Sequence, residues 1–135
     1  MQSLTELVRT IPASEDEEPE DIFACAPGFL FTDDLRVEHG DPGSTIIHQS
    51  KRFGSLELDT ADPFNEDERQ LFSHYLWNAG VLMAERVSGQ RIVDDLERQK
   101  WDVRGERVLE LGAGVGLAGI VSVLADAREV WCCTQ

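Results

Sequence analysis

The sequence is short of positive charge. Among its 135 residues, 12 are Lys or Arg and 26 are Asp or Glu, which gives a formal net charge of −14. A nucleic-acid surface requires clustered basic side chains, so this balance argues against one. Acid is concentrated near the N-terminus, with Glu15-Asp16-Glu17-Glu18 beside Pro19. This composition predicts a disordered acidic tail over residues 1–22, with a docking segment for a basic partner as the alternative.

Long apolar runs are also missing. No stretch approaches the roughly 18 consecutive apolar residues that a membrane span requires. The N-terminus lacks the basic region and apolar core of a secretory signal. From these two absences we expect a protein without a membrane partner.

Cysteine is sparse, and the three cysteines are Cys25, Cys132 and Cys133. Their spacing is not that of metal ligands, and we expect the adjacent pair to be small buried residues of a strand. An odd, low cysteine count suits a reducing compartment, which predicts a cytoplasmic location, or a nuclear one. The three histidines show no metal-ligand spacing either, so no metal site is predicted.

Residues 23–64 are predicted to form an irregular segment followed by a β-hairpin. "STIIHQS" and "SLELDT" carry alternating or β-branched residues, and "KRFG" between them can turn. Beyond them, Asn65 and Glu68 form a capping-box pattern that predicts a helix start. We expect a break near Trp77, a second helix that ends at Gly89, and a short helix within 91–103 that ends near Trp101.

Residues 65–135 are interpreted as the first part of an α/β domain. Arg107–Leu111 is a candidate buried strand, 116–125 has a helical pattern, and "AREVWCCT" predicts a second strand. A strand, helix and strand in this order predict parallel pairing with a right-handed crossover. The predicted fold class is therefore α/β, with the N-terminal part of a Rossmann-like parallel sheet preceded by a β-hairpin and helices.

The segment "VLELGAGVGLAGI" carries the chemistry. Glycines between a strand and a helix let a ligand approach the main chain, next to the free N–H groups of the helix. Two spacings overlap: Gly114, Gly116 and Gly119 match the dinucleotide pattern G-x-G-x-x-G, whereas Glu110 precedes three alternating glycines. A glycine turn without a ligand is the third interpretation. Because an acid inside an apolar strand is costly without a role, we favour the second pattern.

That second pattern, "ELGAGVG", resembles the first motif of class I S-adenosylmethionine-dependent methyltransferases. Upstream, "LWNAG" at 76–80 is similar to a segment of the eukaryotic protein-lysine and N-terminal methyltransferase subgroup, which includes fungal nicotinamide N-methyltransferase-like members. The resemblance covers about residues 44–134. It implies S-adenosyl-L-methionine as the cofactor, and it implies the following cofactor-binding residues: Trp77, Glu110, Gly112, Ala113, Gly114, Gly116 and Thr134.

The resemblance also implies roles for these residues. Glu110 would orient the methionyl end, Gly112 to Gly114 would approach by their main chain, and Trp77 would pack against the cofactor. For Trp77 a core aromatic is the alternative. Thr134 stands where the family has an acid that binds the ribose, so the bidentate contact of that acid is missing here.

The expected function is that of an S-adenosylmethionine-dependent N-methyltransferase. Its substrate would be a protein lysine, a protein N-terminus or a nicotinamide-like amine. The later motifs of the family have no counterpart before Gln135. We therefore expect a truncated chain that is inactive alone, and we assign no catalytic residue. Two alternatives stay open: an NAD(P)-binding oxidoreductase fragment that uses Gly114, Gly116 and Gly119, and a non-catalytic binding module.

Overall fold

The computed structural model describes residues 3–12, 38–61 and 75–133. These residues form a mixed α/β architecture of short strands in three small sheets, with three α-helices. In chain order the elements are a 3-10 helix (Thr5–Leu7), β1 (Val8–Ile11), β2 (Glu38–His39), β3 (Thr45–Ser50), β4 (Gly54–Asp59), β5 (Leu76–Trp77), α1 (Asn78–Val87), α2 (Asp95–Trp101), β6 (Arg107–Leu111), α3 (Leu117–Leu124) and β7 (Glu129–Cys133).

The predicted hairpin is confirmed and forms part of a larger sheet. Strands β3 and β4 pair antiparallel from Thr45↔Asp59 to Ser50↔Gly54, and three residues of "KRFG" make the turn. Gly54 closes the turn at φ 80°, a left-handed conformation that glycine adopts without steric cost. The alternation in the sequence places Ile46, His48 and Leu58 on the buried face.

The third strand of this sheet corrects the prediction of disorder over residues 1–22. β1 pairs antiparallel with β3, from Val8↔His48 to Ile11↔Thr45, and Leu7 is buried. The prediction was wrong for residues 3–12 because the acidic run at residues 15–18 dominates the composition of residues 1–22. Residues 13–22, which contain that run, lie outside the described residues.

Helix α1 begins directly after Trp77, as predicted from the break in the helical pattern. The antiparallel pair β2–β5 fixes this point, since Glu38 pairs with Trp77 and His39 with Leu76. The helix ends at Val87, and Gly89 follows at φ 81°, which confirms its role as a C-terminal stop. The predicted start at Asn65 and Glu68 lies outside the described residues.

The short helix predicted within 91–103 is α2. Its N-cap is Asp94, whose carboxylate accepts a hydrogen bond from the Glu97 N–H at 2.8 Å. The helix ends at Trp101, as predicted.

The hydrophobic core joins the hairpin sheet to two helices. Helix α1 packs on α3 on one side and reaches the hairpin sheet on the other. The buried cluster contains Leu7, Ile46, Leu58, Leu76, Val81, Ala84, Leu117 and Val121. Each fully buried aliphatic side chain of this kind contributes roughly 1.5–3 kcal/mol relative to an exposed one. Across the described ranges, no helix combines the length and apolarity needed to cross a bilayer.

A polar contact crosses the same core. His48 Nε2 lies 3.7 Å from Glu85 Oε1, and both side chains are almost fully buried. Arg91 Nε lies 3.8 Å from the second Glu85 oxygen. Burial lowers the pKa of His48 and raises that of Glu85, the latter against the opposing charges of Arg91 and Lys51.

Strands β6 and β7 form a parallel pair connected by α3, as predicted. The register runs from Arg107↔Glu129 to Leu111↔Cys133. The two strands are less buried than expected, however: Leu109 is 58% exposed and Leu111 is 75% exposed. Helix α3 covers one face of this pair, and the face that carries these leucines is open among the described residues. The interpretation of β6 as a buried strand is therefore wrong for the face that carries Leu109 and Leu111.

The same geometry corrects the prediction for the adjacent cysteines. Cys132 and Cys133 are free thiols and both are exposed. Their apolar neighbours suggested a buried strand, but the face of β7 that carries Cys133 is open among the described residues, and Cys132, on the face toward α3, is only partly covered. Cys25 lies outside those residues.

Candidate functional site

A tight loop connects the end of β6 to α3, at residues 112–116. Parallel strands end at the same edge of a sheet, so this loop lies beside the end of β7. The N–H groups of Gly112 and Ala113 both donate to the Cys133 carbonyl, at 3.0 and 3.2 Å, and the Gly116 N–H donates to the Ala113 carbonyl at 2.8 Å. The loop is thus held to β7 through its main chain.

Three glycines of the loop are required by backbone conformation. Gly112, Gly114 and Gly116 have φ values of 65°, 54° and 77°, in the left-handed region that side chains disfavour. A Cβ atom built at Gly112 or at Gly116 meets nothing within 4 Å. Packing therefore does not explain these glycines, and the space beside them is open to a ligand.

Glu110 caps α3 from the neighbouring strand. The residue at the N-cap position is Gly116, which has no side chain to offer. Glu110 Oε2 instead accepts the N–H of Gly119 at 2.9 Å, in the first turn of the helix. A carboxylate is favourable there because the N-terminal end of a helix is positive. This contact explains the nearly buried charge in β6, where Glu110 is 9% exposed.

Gly119 is required by this close approach. A Cβ atom at position 119 would lie 2.7 Å from Glu110 Oε2 and 2.5 Å from Cys132 Sγ. The glycine therefore lets α3 pack against β6 and β7, a role that the third glycine of G-x-G-x-x-G also has. In this structure Gly119 needs no ligand to explain it.

Cys132 is a site residue that sequence reasoning missed. Its thiol donates to Glu110 Oε2 at 3.4 Å. Burial, the hydrogen bond to Glu110 and the charge of that carboxylate raise the pKa of Cys132, so the thiol is protonated at neutral pH. The register pairs Glu110 with Cys132, and paired residues share a face. The sequence signal for this contact is the register of the predicted parallel pair, which places Glu110 opposite Cys132.

Trp77 lies at the start of α1, the helix that packs on α3. Its ring makes an edge-to-face contact with Tyr75, with the centroids 6.3 Å apart. The side chain is 39% exposed, which leaves part of the ring available to a ligand. The described contacts bring Glu110, Gly119 and Cys132 together, whereas the aromatic contact of Trp77 is with Tyr75. Thr134 lies outside the described residues.

Comparison with known sequences assigns the family. Residues 59–133, more than half of the chain, match the lysine methyltransferase family. The chain belongs to the lysine methyltransferase family. This membership confirms the resemblance found in "ELGAGVG" and "LWNAG", and the matched range contains both segments.

Curated relatives of this lysine methyltransferase family member carry consistent names. The chain is 40% identical over 60 residues to protein N-terminal and lysine N-methyltransferase efm7 of Schizosaccharomyces pombe, which covers 44% of this chain and 20% of the relative. It is 30% identical over 116 residues to the protein of the same name in Yarrowia lipolytica, covering 82% and 40%. Protein N-lysine methyltransferase METTL21A of Danio rerio is 32% identical over 87 residues, covering 64% and 36%.

These alignments cover between a fifth and two fifths of the length of the curated relatives. The chain is also 27% identical over 111 residues to the shikimate dehydrogenase (NADP(+)) of Vibrio atlanticus, covering 70% of this chain and 39% of that protein. The family match and the names of the other relatives favour methyltransferase over oxidoreductase. No solved structure matches the chain.

Proposed function

We propose that the protein transfers a methyl group from S-adenosyl-L-methionine to an amine of a protein substrate, either a lysine or an N-terminal amine. The observation that carries this proposal is the glycine loop at the shared edge of β6 and β7, with three left-handed glycines, two of which lie beside open space. The family supplies the reaction class, and the names of the relatives support the substrate class.

The residues of the loop fit the proposed cofactor. Gly112 and Ala113 use their N–H groups to bind the Cys133 carbonyl, and the Ala113 carbonyl accepts the Gly116 N–H, so the two residues would face the cofactor through their Cα atoms and the Gly112 carbonyl. Gly114 and Gly116 complete the main-chain surface, next to the N-terminus of α3. Glu110 would act through the helix that it caps.

Two further residues belong to the proposal on the strength of the resemblance. Trp77 would pack the exposed part of its ring against the cofactor, and Thr134 would hydrogen-bond a ribose hydroxyl.

We also propose that β6 and β7 are two strands of a Rossmann-like parallel sheet, since their parallel pairing and helical crossover are those of that fold. The sparse cysteine content supports a cytoplasmic or nuclear site of action.

The bound cofactor would supply an electrophilic methyl group on a sulfonium. What a protein adds to such a transfer is the positioning of a neutral amine in line with that group and the removal of water around it. The loop of this chain would fix the cofactor through main-chain contacts, which leaves side chains free for the substrate. The net charge of −14 suits a basic protein segment as the substrate.

A matched pair of glycine variants tests the cofactor site. Gly112→Ala and Gly105→Ala both place a methyl group at a positive φ, 65° and 74°, and in both cases the added Cβ meets open space. Both should lower the free energy of unfolding by about 1–3 kcal/mol, because the strain is the same. Isothermal titration calorimetry with S-adenosylhomocysteine should show at least tenfold weaker binding for Gly112→Ala and unchanged binding for Gly105→Ala.

Three results would contradict the proposal. Binding of NADP⁺ without binding of S-adenosylhomocysteine would support an oxidoreductase instead. Equal affinities in the two glycine variants would exclude the loop as the cofactor site. Transfer of labelled methyl to nicotinamide but to neither lysine nor N-terminal peptides would replace the protein substrate by a small amine.

A further inference from the structure

One cluster joins the three elements that meet at the glycine loop. It consists of Glu110 from β6, Gly119 from α3 and Cys132 from β7, and we call it the carboxylate cluster. Glu110 Oε2 accepts two hydrogen bonds, from the Gly119 N–H at 2.9 Å and from the Cys132 thiol at 3.4 Å. The oxygen is therefore held from the helix and from the neighbouring strand together.

We propose that Cys132 is a positioning residue of the cofactor site and that it acts through Glu110. This inference rests on the proposed function. The loop 112–116 begins two residues after Glu110 and ends three residues before Gly119. The cluster thus fixes both ends of the loop relative to each other. A carboxylate with a single donor can rotate about its terminal torsion, which is broad. A second donor on a different element limits that rotation and fixes the first turn of α3.

The protonation state of Cys132 suits this role. Burial and the adjacent carboxylate raise the thiol pKa, so the group donates to Glu110 rather than repelling it. A negative charge at position 132 would face the Glu110 carboxylate at the distance of the present hydrogen bond. Like charges so close disfavour each other strongly, and Glu110 would have to leave the helix.

Trp131 provides the control on the same strand. Side chains alternate along a strand, so Trp131 points to the face opposite to that of Cys132 and pairs with the exposed Leu109. Its side chain is 49% exposed, and the carbonyl that holds the loop belongs to Cys133 rather than to Trp131. An aspartate introduced at position 131 or at position 132 therefore differs in whether its charge faces the carboxylate cluster.

The test compares Cys132→Asp, Cys132→Ala and Cys132→Ser with Trp131→Asp and Trp131→Ala. The probe is S-adenosylhomocysteine, titrated into the full chain well below the midpoint of thermal unfolding. We expect Cys132→Asp to weaken binding at least tenfold and Cys132→Ala about threefold. Cys132→Ser keeps a donor and should recover part of the loss. Both Trp131 variants should bind within twofold of the original protein.

Asp94→Ala distinguishes a loss of affinity caused by lower stability from one caused by a changed cofactor site. This variant removes the N-cap of α2, away from the carboxylate cluster, and should lower stability without changing affinity for S-adenosylhomocysteine. Affinity that follows stability across Asp94→Ala and Cys132→Ala would overturn the positioning role.

The failures of the two proposals are distinguishable. If the original protein does not bind S-adenosylhomocysteine, the proposed function fails and the inference fails with it. If the original protein binds but Cys132→Asp binds as well as Trp131→Asp, the positioning role is wrong and the proposed function stands. If Cys132→Asp does not fold, Cys132→Ala and Cys132→Ser decide, and affinities equal to that of the original protein would overturn the inference.

Discussion

Replacing Gly119 with alanine should destabilise the fold, whereas a glycine-to-alanine change in a helix ordinarily stabilises it. The new Cβ would lie 2.5 Å from Cys132 Sγ and 2.7 Å from Glu110 Oε2. Relief requires a shift of α3, which costs roughly 1–3 kcal/mol as overpacking. If the carboxylate moves instead, the N–H of residue 119 loses a charged acceptor, at about 1.5–3 kcal/mol.

The intrinsic preference of helices for alanine offsets part of this cost. Alanine is favoured over glycine within a helix by about 0.5–1 kcal/mol. Either cost, less this preference, leaves Gly119→Ala with a free energy of unfolding that is lower by about 0.5–2.5 kcal/mol. Val130 Cγ1, at 3.5 Å from the same Cβ, limits the direction in which the helix could move.

Gly80→Ala is the matched control in α1. Its Cβ would meet one atom, Leu76 Cδ1, at the ordinary contact distance of 3.4 Å. That variant should be neutral or more stable by up to about 1 kcal/mol. Urea unfolding followed by circular dichroism gives both free energies. A Gly119→Ala protein as stable as Gly80→Ala would refute the packing of α3 against Glu110 and Cys132 described above.

Three further predictions concern the rest of the fold. Asp94→Ala should cost about 1 kcal/mol in urea unfolding because the Glu97 N–H loses its cap, whereas Asp95→Ala, at a side chain that is 98% exposed, should cost nothing measurable. Burial lowers the pKa of His48 below 6.5, so the unfolded chain binds a proton that the folded chain does not, and His48 contributes a loss of stability as the pH falls below 6.5. His48→Gln should reduce this loss in urea unfolding at a series of pH values, and an unchanged acid slope would contradict the neutral buried ring. The raised pKa of Glu85 acts in the opposite direction, so Glu85→Gln should steepen the loss.

The elements predicted correctly are those whose pattern is local. The hairpin β3–β4 needs a three-residue turn, and the unit β6–α3–β7 needs an apolar strand, a glycine loop and a helical period. The helix start after Trp77 and the stop at Gly89 also depend on neighbouring residues. Such features are encoded within about 30 residues of sequence, so periodicity and turn chemistry can identify them.

The elements that were missed depend on distant partners. β1 is a strand because Val8 pairs with His48, 40 residues away, and no pattern within residues 3–12 names that partner. The exposure of Leu109 and Cys133 depends on which face α3 covers, which sequence periodicity leaves undetermined. The contact between Glu110 and Cys132 depends on register, where an error of one residue would place the two side chains on opposite faces.

The roles of the glycines explain why the sequence motif is compatible with two cofactors, S-adenosylmethionine and a dinucleotide. Gly119 belongs to the dinucleotide pattern, but its role here is to admit Glu110 and Cys132, and such packing serves any cofactor bound at the loop. Glu110 belongs to the methyltransferase pattern, yet its carboxylate is engaged by the helix. The left-handed conformation of Gly112, Gly114 and Gly116 belongs to the turn, and Gly105 shares with Gly112 both the positive φ and the open space. What distinguishes Gly112 is its place at the shared edge of β6 and β7, and so the comparison of Gly112→Ala with Gly105→Ala tests cofactor binding more directly than any change at Glu110 or Gly119.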